Sequence, residues 1–111
     1  MPHDRVGKYL LDIESILEEI DQLKQRYPTF RMFDGDFLAH RTAERHLEII
    51  GEAINQIRKI EPNISISSVD QIVNLRNLII HAYDSVDSAI LWGIIQNDIP
   101  VLKKEIKRLI G

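Results

Sequence analysis

The chain reads as an all-α bundle of four or five helices, and three observations predict it. Apolar residues recur at spacings of three and four through most of its length. Serine, asparagine, glycine and proline punctuate those runs at intervals that leave only short connections. Strand-like alternation is confined to Ile64-Ser65-Ile66-Ser67, which is too short and isolated to build a sheet.

The first helix is predicted from about Asp4 to Gln25. Val6, Tyr9, Leu10, Ile13, Ile16, Leu17, Ile20 and Leu23 form one apolar stripe along it. Pro28 ends it, because the residue before a proline is pushed out of helical backbone. The loop from Pro28 to Gly35 is expected to dock through Phe30, Met32 and Phe33. The second helix should run from about Asp36 to Ile60, with Leu38, Ala43, Leu47, Ile50, Ile54 and Ile57 on its core face. Ile49, Ala53 and Ile60 widen that face enough for burial on two sides. Gly51 costs about 1 kcal/mol relative to alanine in mid-helix, which suits a close approach by another helix.

Glu61-Pro62-Asn63 closes the second helix, and Ser68 with Gln71 reads as a capping box that opens a third. Ile72, Val73, Leu75, Leu78, Ile79 and Ile80 make that third helix apolar around most of its girth, as a central element would be. Ser85 is the expected N-cap of the last helix, with Asp87 near its positive end. Val86, Ala89, Ile90, Ile94, Val101, Leu102, Ile106 and Leu109 supply its apolar positions. Pro100 removes a backbone donor, so a kink or break is expected near 97–100. Lys103, Lys104, Lys107 and Arg108 complement the negative end of the helix dipole.

The 111 residues fit one domain, and the 44% that are hydrophobic suffice for one core. No apolar run approaches the roughly 20 residues that span a bilayer. Met1-Pro2-His3-Asp4-Arg5 lacks the layout of a signal peptide, and the absence of cysteine makes a reducing cytoplasm the expected setting. With no cysteine, disulfides, thiolate metal sites and cysteine nucleophiles are excluded. A net charge of −3 is unusual for a nucleic-acid binder, so any RNA would need a local patch, a two-subunit cleft or a basic partner.

Chemistry concentrates in Leu75-Arg76-Asn77-Leu78-Ile79-Ile80-His81-Ala82-Tyr83. A guanidinium holds phosphate, an imidazole moves protons near neutral pH, and a phenol hydrogen-bonds, stacks or accepts a modification. On an ideal helix Arg76 and Tyr83 share one face, while Asn77 and His81 share another about 100° round. All four meet one phosphate only where a cleft, such as one made by a second subunit, wraps that edge. A structural role is the alternative: a salt bridge from Arg76 to Glu44, Glu48 or Glu52, a helix-capping His81 and a packing Tyr83. His40, Glu44, Glu48 and Glu52 follow at chelating intervals, but Arg41 and Arg45 interleave with them and favour a salt-bridged face over a metal site. No glycine-rich phosphate loop is present, and Ser65, Ser67 and Ser68 have no helper base nearby.

The stretch from Arg76 to Tyr83 resembles the signature of the HEPN superfamily in the form carried by HepT-type toxins: arginine, four residues, histidine, any residue, tyrosine. Ala43-Glu44-Arg45-His46-Leu47-Glu48-Ile49-Ile50-Gly51-Glu52-Ala53 is similar to that group's long second helix. With length and helix order the likeness covers nearly the whole chain. It implies a four- to five-helix HEPN-type bundle that dimerises and cleaves RNA without a metal or other cofactor; the acidic balance of the chain fits a selective enzyme for a folded RNA such as tRNA better than a general RNA binder. His81 would be the general acid/base, Arg76 would stabilise the phosphorane, and Asn77 would orient the phosphate or the histidine. It also implies a toxin–antitoxin pair, in which a minimal nucleotidyltransferase transfers AMP to Tyr83. Arg41, Arg45 and Glu52 on the second helix are candidates for lining the same cleft. The competing expectation is a non-catalytic helical module that binds a nucleotide or the transferase.

Overall fold

The computed structural model describes residues 4–66 and 87–111, and within them every regular element is helical. Helix α1 spans Asp4–Arg26, α2 spans Phe30–Asp34 and α3 spans Phe37–Ile60. After the undescribed segment come α4 (Ser88–Gly93), a π-helical turn (Ile94–Asp98) and α5 (Ile99–Ile110). The predicted capping box at Ser68, the apolar third helix and the Ser85 cap all lie outside the described residues.

Each start has a local cause. The Thr29 hydroxyl accepts from the Met32 amide at 3.3 Å and opens α2. Asp36 is extended and accepts from the Leu38 amide at 2.9 Å, which makes it the cap of α3 rather than its first residue. Asp87 accepts from the Ala89 amide at 2.7 Å and caps α4. This cap lies two residues beyond Ser85.

The core is the antiparallel packing of α1 on α3. Leu10, Ile13, Leu17 and Ile20 on α1 and Leu47, Ile50, Ile54 and Ile57 on α3 are all sealed from solvent. Each such side chain contributes about 1.5–3 kcal/mol by leaving water. Helix α5 lies along α1: Lys103 pairs with Asp21, while Leu17 and Ile106 line one narrow groove. The lysines of α5 thus sit against the carboxylates of α1, with Lys107 sharing that groove with Glu14 and Glu18. The shorter α4 packs on α2 and α3. Ring contacts tie that corner, with Trp92 against Phe33 at 5.3 Å and Phe30 at 6.0 Å between centroids.

Pro100 shapes the last run as expected in position, though by a different device. It has no N–H for Gln96, and its ring would strike that carbonyl in a regular helix. Widening the preceding turn relieves both problems: the Ile99 amide bonds to Ile94 in the π register, and α5 carries Pro100 in its first turn. No sharp break is needed.

Several apolar assignments are corrected. Of the three residues expected to dock the loop, Phe33 is fully buried, whereas Phe30 and Met32 remain 38% and 50% exposed. A five-residue helix has room for one inward side chain per turn. Leu38 is 70% exposed, because it lines the open cleft between the end of α1 and the start of α3 instead of the closed seam. Ala89, Ile90 and Val101 are exposed, and Leu91, Ile95 and Ile99 join Ile94 in the core.

Truncating the α1–α3 seam should be costly. Leu47→Ala is expected to lower unfolding free energy by about 2–5 kcal/mol in a urea titration followed by circular dichroism. Leu38→Ala, on the same stripe but exposed, should change it by less than about 0.5 kcal/mol.

Candidate active site

Arg76, Asn77, His81 and Tyr83 lie outside the described residues, whereas Arg41, Arg45 and Glu52 lie within them. On α3, the expected salt-bridged face is present: Arg41 donates to Glu44 at 3.2 Å and Arg45 pairs with Glu48 at 3.3 Å, each three residues apart. Both arginines stay about half or more exposed, so each pair adds at most about 1 kcal/mol. Their value lies in fixing the guanidinium groups along one side of the helix. Among the described residues, no three histidine or acidic side chains come together as a metal-binding group.

Two of the three candidate wall residues come together. Arg45 and Glu52 share a groove of about 270 Å³ between α1 and α3, floored by Ile49 and Ala53 and closed by Tyr9 and Asp12. Glu52 accepts there from the Gln56 amide at 3.0 Å. Arg41 does not line this groove; its guanidinium carbon lies 4.9 Å from the ring centre of Phe37, one turn back on α3.

A second polar cluster escapes sequence reasoning. Farther along the same helix pair, Glu19, Gln22, Arg26, Tyr27, Asp36 and His46 surround an open cleft of about 430 Å³. His46 is buried beneath Glu19, with Nε2 3.2 Å from the carboxylate. Its Nδ1 is buried and has no partner among the described residues. The proton therefore belongs on Nε2, where it is donated to Glu19, since a bare acceptor is cheaper to bury than an orphaned N–H. At the cleft's other end Tyr27 donates its hydroxyl to Asp36. That hydrogen bond, reinforced by the Leu38 and Ala39 amides and by His40, holds the Asp36 carboxyl below the usual range against the opposing effect of desolvation. The same bond, with desolvation and the Asp36 charge, raises the Tyr27 phenol, and Arg26 only partly offsets it. Neither Glu19–His46 nor Tyr27–Asp36 sits at a spacing that a helical pattern reports. One pair joins two helices and the other spans the α2 corner, so only the Asp36 cap position was a readable signal.

Comparison with known proteins agrees with the helical class. The model of HepT-like ribonucleases matches residues 13–109. A protein of Thermococcus cleftensis named "Probable ribonuclease HepT" is 33% identical, with 91% of this chain and 92% of that one aligned. One of Caldanaerobacter subterraneus subsp. tengcongensis, whose name calls it a "Putative RNase", is 34% identical over 88% of this chain and 90% of its own. A relative of Methanocaldococcus jannaschii named in the same terms is 42% identical, across 57% of this chain and 59% of that protein. No solved structure matches. The helical fold and the span of the match define a HEPN-type domain. Within that class the chain belongs to the HepT-like ribonuclease family.

The Tyr27–Asp36 bond has a pH signature. Because the folded Asp36 pKa is depressed, its stabilising effect is complete above the unfolded value and fades as pH falls through the folded one. The raised Tyr27 phenol works the other way, its contribution being lost as pH climbs through the folded value. Tyr27→Phe should return the Asp36 carboxyl toward its ordinary titration in carbon-detected NMR, and Asp36→Asn should bring one phenol back down in an ultraviolet titration. Unchanged curves would disprove the coupling.

Proposed function

We propose that the chain is the toxin component of a toxin–antitoxin pair: an endoribonuclease, active as a homodimer, that cuts RNA with tRNA among its substrates. The observation that carries this reading is the family match, which runs from residue 13 to residue 109 and so includes the Arg76–Tyr83 motif. The names of the relatives point the same way.

The chemistry assigned to these residues balances without a metal. His81 of one subunit takes the proton from a ribose 2′-hydroxyl as that oxygen attacks the adjacent phosphorus. The bond from phosphorus to the 5′-oxygen breaks, and His81 of the second subunit returns a proton to the leaving oxygen. The products are a 2′,3′-cyclic phosphate and a 5′-hydroxyl. Arg76 stabilises the charge of the phosphorane, and Asn77 fixes the phosphate or the imidazole. Two copies of Arg76 in one dimer cleft concentrate positive potential that the acidic chain otherwise lacks. Arg45 and Glu52, which already share a groove, supply a wall of that cleft.

Control falls to Tyr83. Transfer of AMP onto its hydroxyl by a partner nucleotidyltransferase adds bulk and negative charge beside the phosphate site. Both oppose RNA, one by occlusion and the other by repulsion.

The decisive experiment incubates the purified chain with total tRNA in EDTA, after mass spectrometry has verified an unmodified Tyr83. Fragments ending in cyclic phosphate are expected, with His81→Ala and Arg76→Ala each lowering the rate at least about a hundredfold, as loss of an acid/base or charge-stabilising group does. If an unmodified dimer leaves tRNA intact, the chain is a binding module instead. Tyr83→Phe should retain cleavage but resist inactivation by the transferase and ATP.

A further inference from the structure

Three helices bring positive charge to one end of the bundle. Helix α3 runs antiparallel to α1, since Tyr9 and Asp12 share a groove with residues 45–56 whereas residues 19–27 share a cleft with 36–46. Helix α5 also runs antiparallel to α1: Lys103 meets Asp21, and Lys107 shares a groove with Glu14 and Glu18. The start of α1 therefore lies at the same end as the close of α3 and of α5. Arg5 and Lys8 stand on the first of these helices, Arg58 and Lys59 on the second, and Lys104 and Arg108 on the third, all exposed. Residues 5–11, 54–60 and 104–111 hold no exposed carboxylate, and their one acid, Glu105, is buried.

Ion pairing within the chain does not neutralise this end. Lys103 is committed to Asp21 and Lys107 faces the carboxylates of its groove, so neither is counted. Lys8, Lys59, Lys104 and Arg108 form no ion pair among the described residues, although Asp12 and Glu61 border them in sequence. Nor does the helix dipole account for the pattern. It favours cations where α3 and α5 close, but it disfavours them where α1 begins, and Arg5 occupies that first turn with Lys8 three residues on.

We infer that this end of the bundle holds the phosphate backbone of RNA, with Lys8, Lys59, Lys104 and Arg108 as its contacts. The assignment depends on the ribonuclease reading and names a surface that retains the substrate. It supplies the local patch that a chain of net charge −3 needs to hold a polyanion. The make-up of the surface favours this occupant over a protein. A protein interface is carried by a desolvated core of aromatic and aliphatic anchors, and lysine is depleted from it. Among the described residues, Leu11 and Val101 are the only large apolar side chains exposed within one turn of these cations, and they lie on different helices. The exposed aromatic rings Phe30 and Phe37 belong to the opposite end. Backbone phosphates require no apolar anchor; they need point charges on adaptable stems, which lysine provides.

The test measures fluorescence anisotropy of labelled tRNA with the full chain across a salt series, His81→Ala being present so that the probe survives. Lys8→Ala, Lys59→Ala and Lys104→Ala together, one from each helix, should weaken binding about tenfold or more at low salt. They should also flatten the slope of log affinity against log salt by roughly 0.7–0.9 for each charge removed. Arginine at the same three positions should restore both. Removing an equal charge at the opposite end, with Lys24→Ala, Arg26→Ala and Arg31→Ala, should leave the slope near that of the parent. Circular dichroism verifies folding, and Arg108→Ala alone tests a fourth contact should the triple variant be unstable. Parental affinity and slope in the triple variant overturn the inference, as does equal loss from both triples, which is an effect of net charge without a surface. Parental RNA affinity combined with lost binding to polyglutamate assigns this end to an acidic protein and overturns it too. If the chain cuts tRNA and the triple variant still binds normally, only this inference falls. A chain that neither binds nor cuts RNA removes the ribonuclease reading with it.

Discussion

The apolar seam between α1 and α3 is the constraint on which the rest of the molecule depends. Two long helices run antiparallel, with Leu10, Ile13, Leu17 and Ile20 closed against Leu47, Ile50, Ile54 and Ile57. Neither helix would persist alone in water, because most helical stability in proteins comes from burying one face. Once joined, they fix everything beside the seam. The groove that holds Arg45 and Glu52 and the cleft that holds His46 and Asp36 are successive lengths of the same helix pair. Polar chemistry in this protein is arranged along the margins of its hydrophobic contact.

Those margins show a division of labour among charges. Carboxylates on the described helices are mostly committed to neighbours: Asp21 to Lys103, Glu44 to Arg41, Glu48 to Arg45, and Asp36 to Tyr27 and the start of α3. Net charge is therefore a poor guide to what a visiting phosphate would meet. The same pairs also occupy Arg41 and Arg45, so both signs of charge along α3 are largely matched by neighbours. Field and access, rather than totals, govern encounter with a charged ligand.

The helices were legible in the sequence because period and punctuation agreed. The spacing of Val6 to Leu23 placed α1 to within a residue, and the run from Ala43 to Ile57 placed the buried face of α3. Errors arose where a side chain's fate depends on what stands opposite. Leu38 fits the stripe of α3 but borders an open cleft beside α1, and Phe30 and Met32 flank a Phe33 that is buried alone. The wall pair Arg45 and Glu52 could be proposed from one helix's spacing, whereas Glu19–His46 and Tyr27–Asp36 join distant parts of the chain and leave no periodic trace. The family signature in residues 76–83 was readable for a different reason: it is a pattern of residue types and needs no packing to be recognised.

The π turn before Pro100 has a consequence beyond sparing a clash. One extra residue in a helical turn rotates everything after it by about 100° relative to everything before. Residues 88–110 are thus a single rod with two differently aimed faces. The first, through Leu91 and Trp92, meets the aromatic corner of α2, and the second, through Leu102 and Ile106, meets α1. A straight helix of the same length could serve only one of these neighbours. The widened turn acts as a fixed swivel, letting one continuous backbone staple the α2 corner to the flank of the long helix pair.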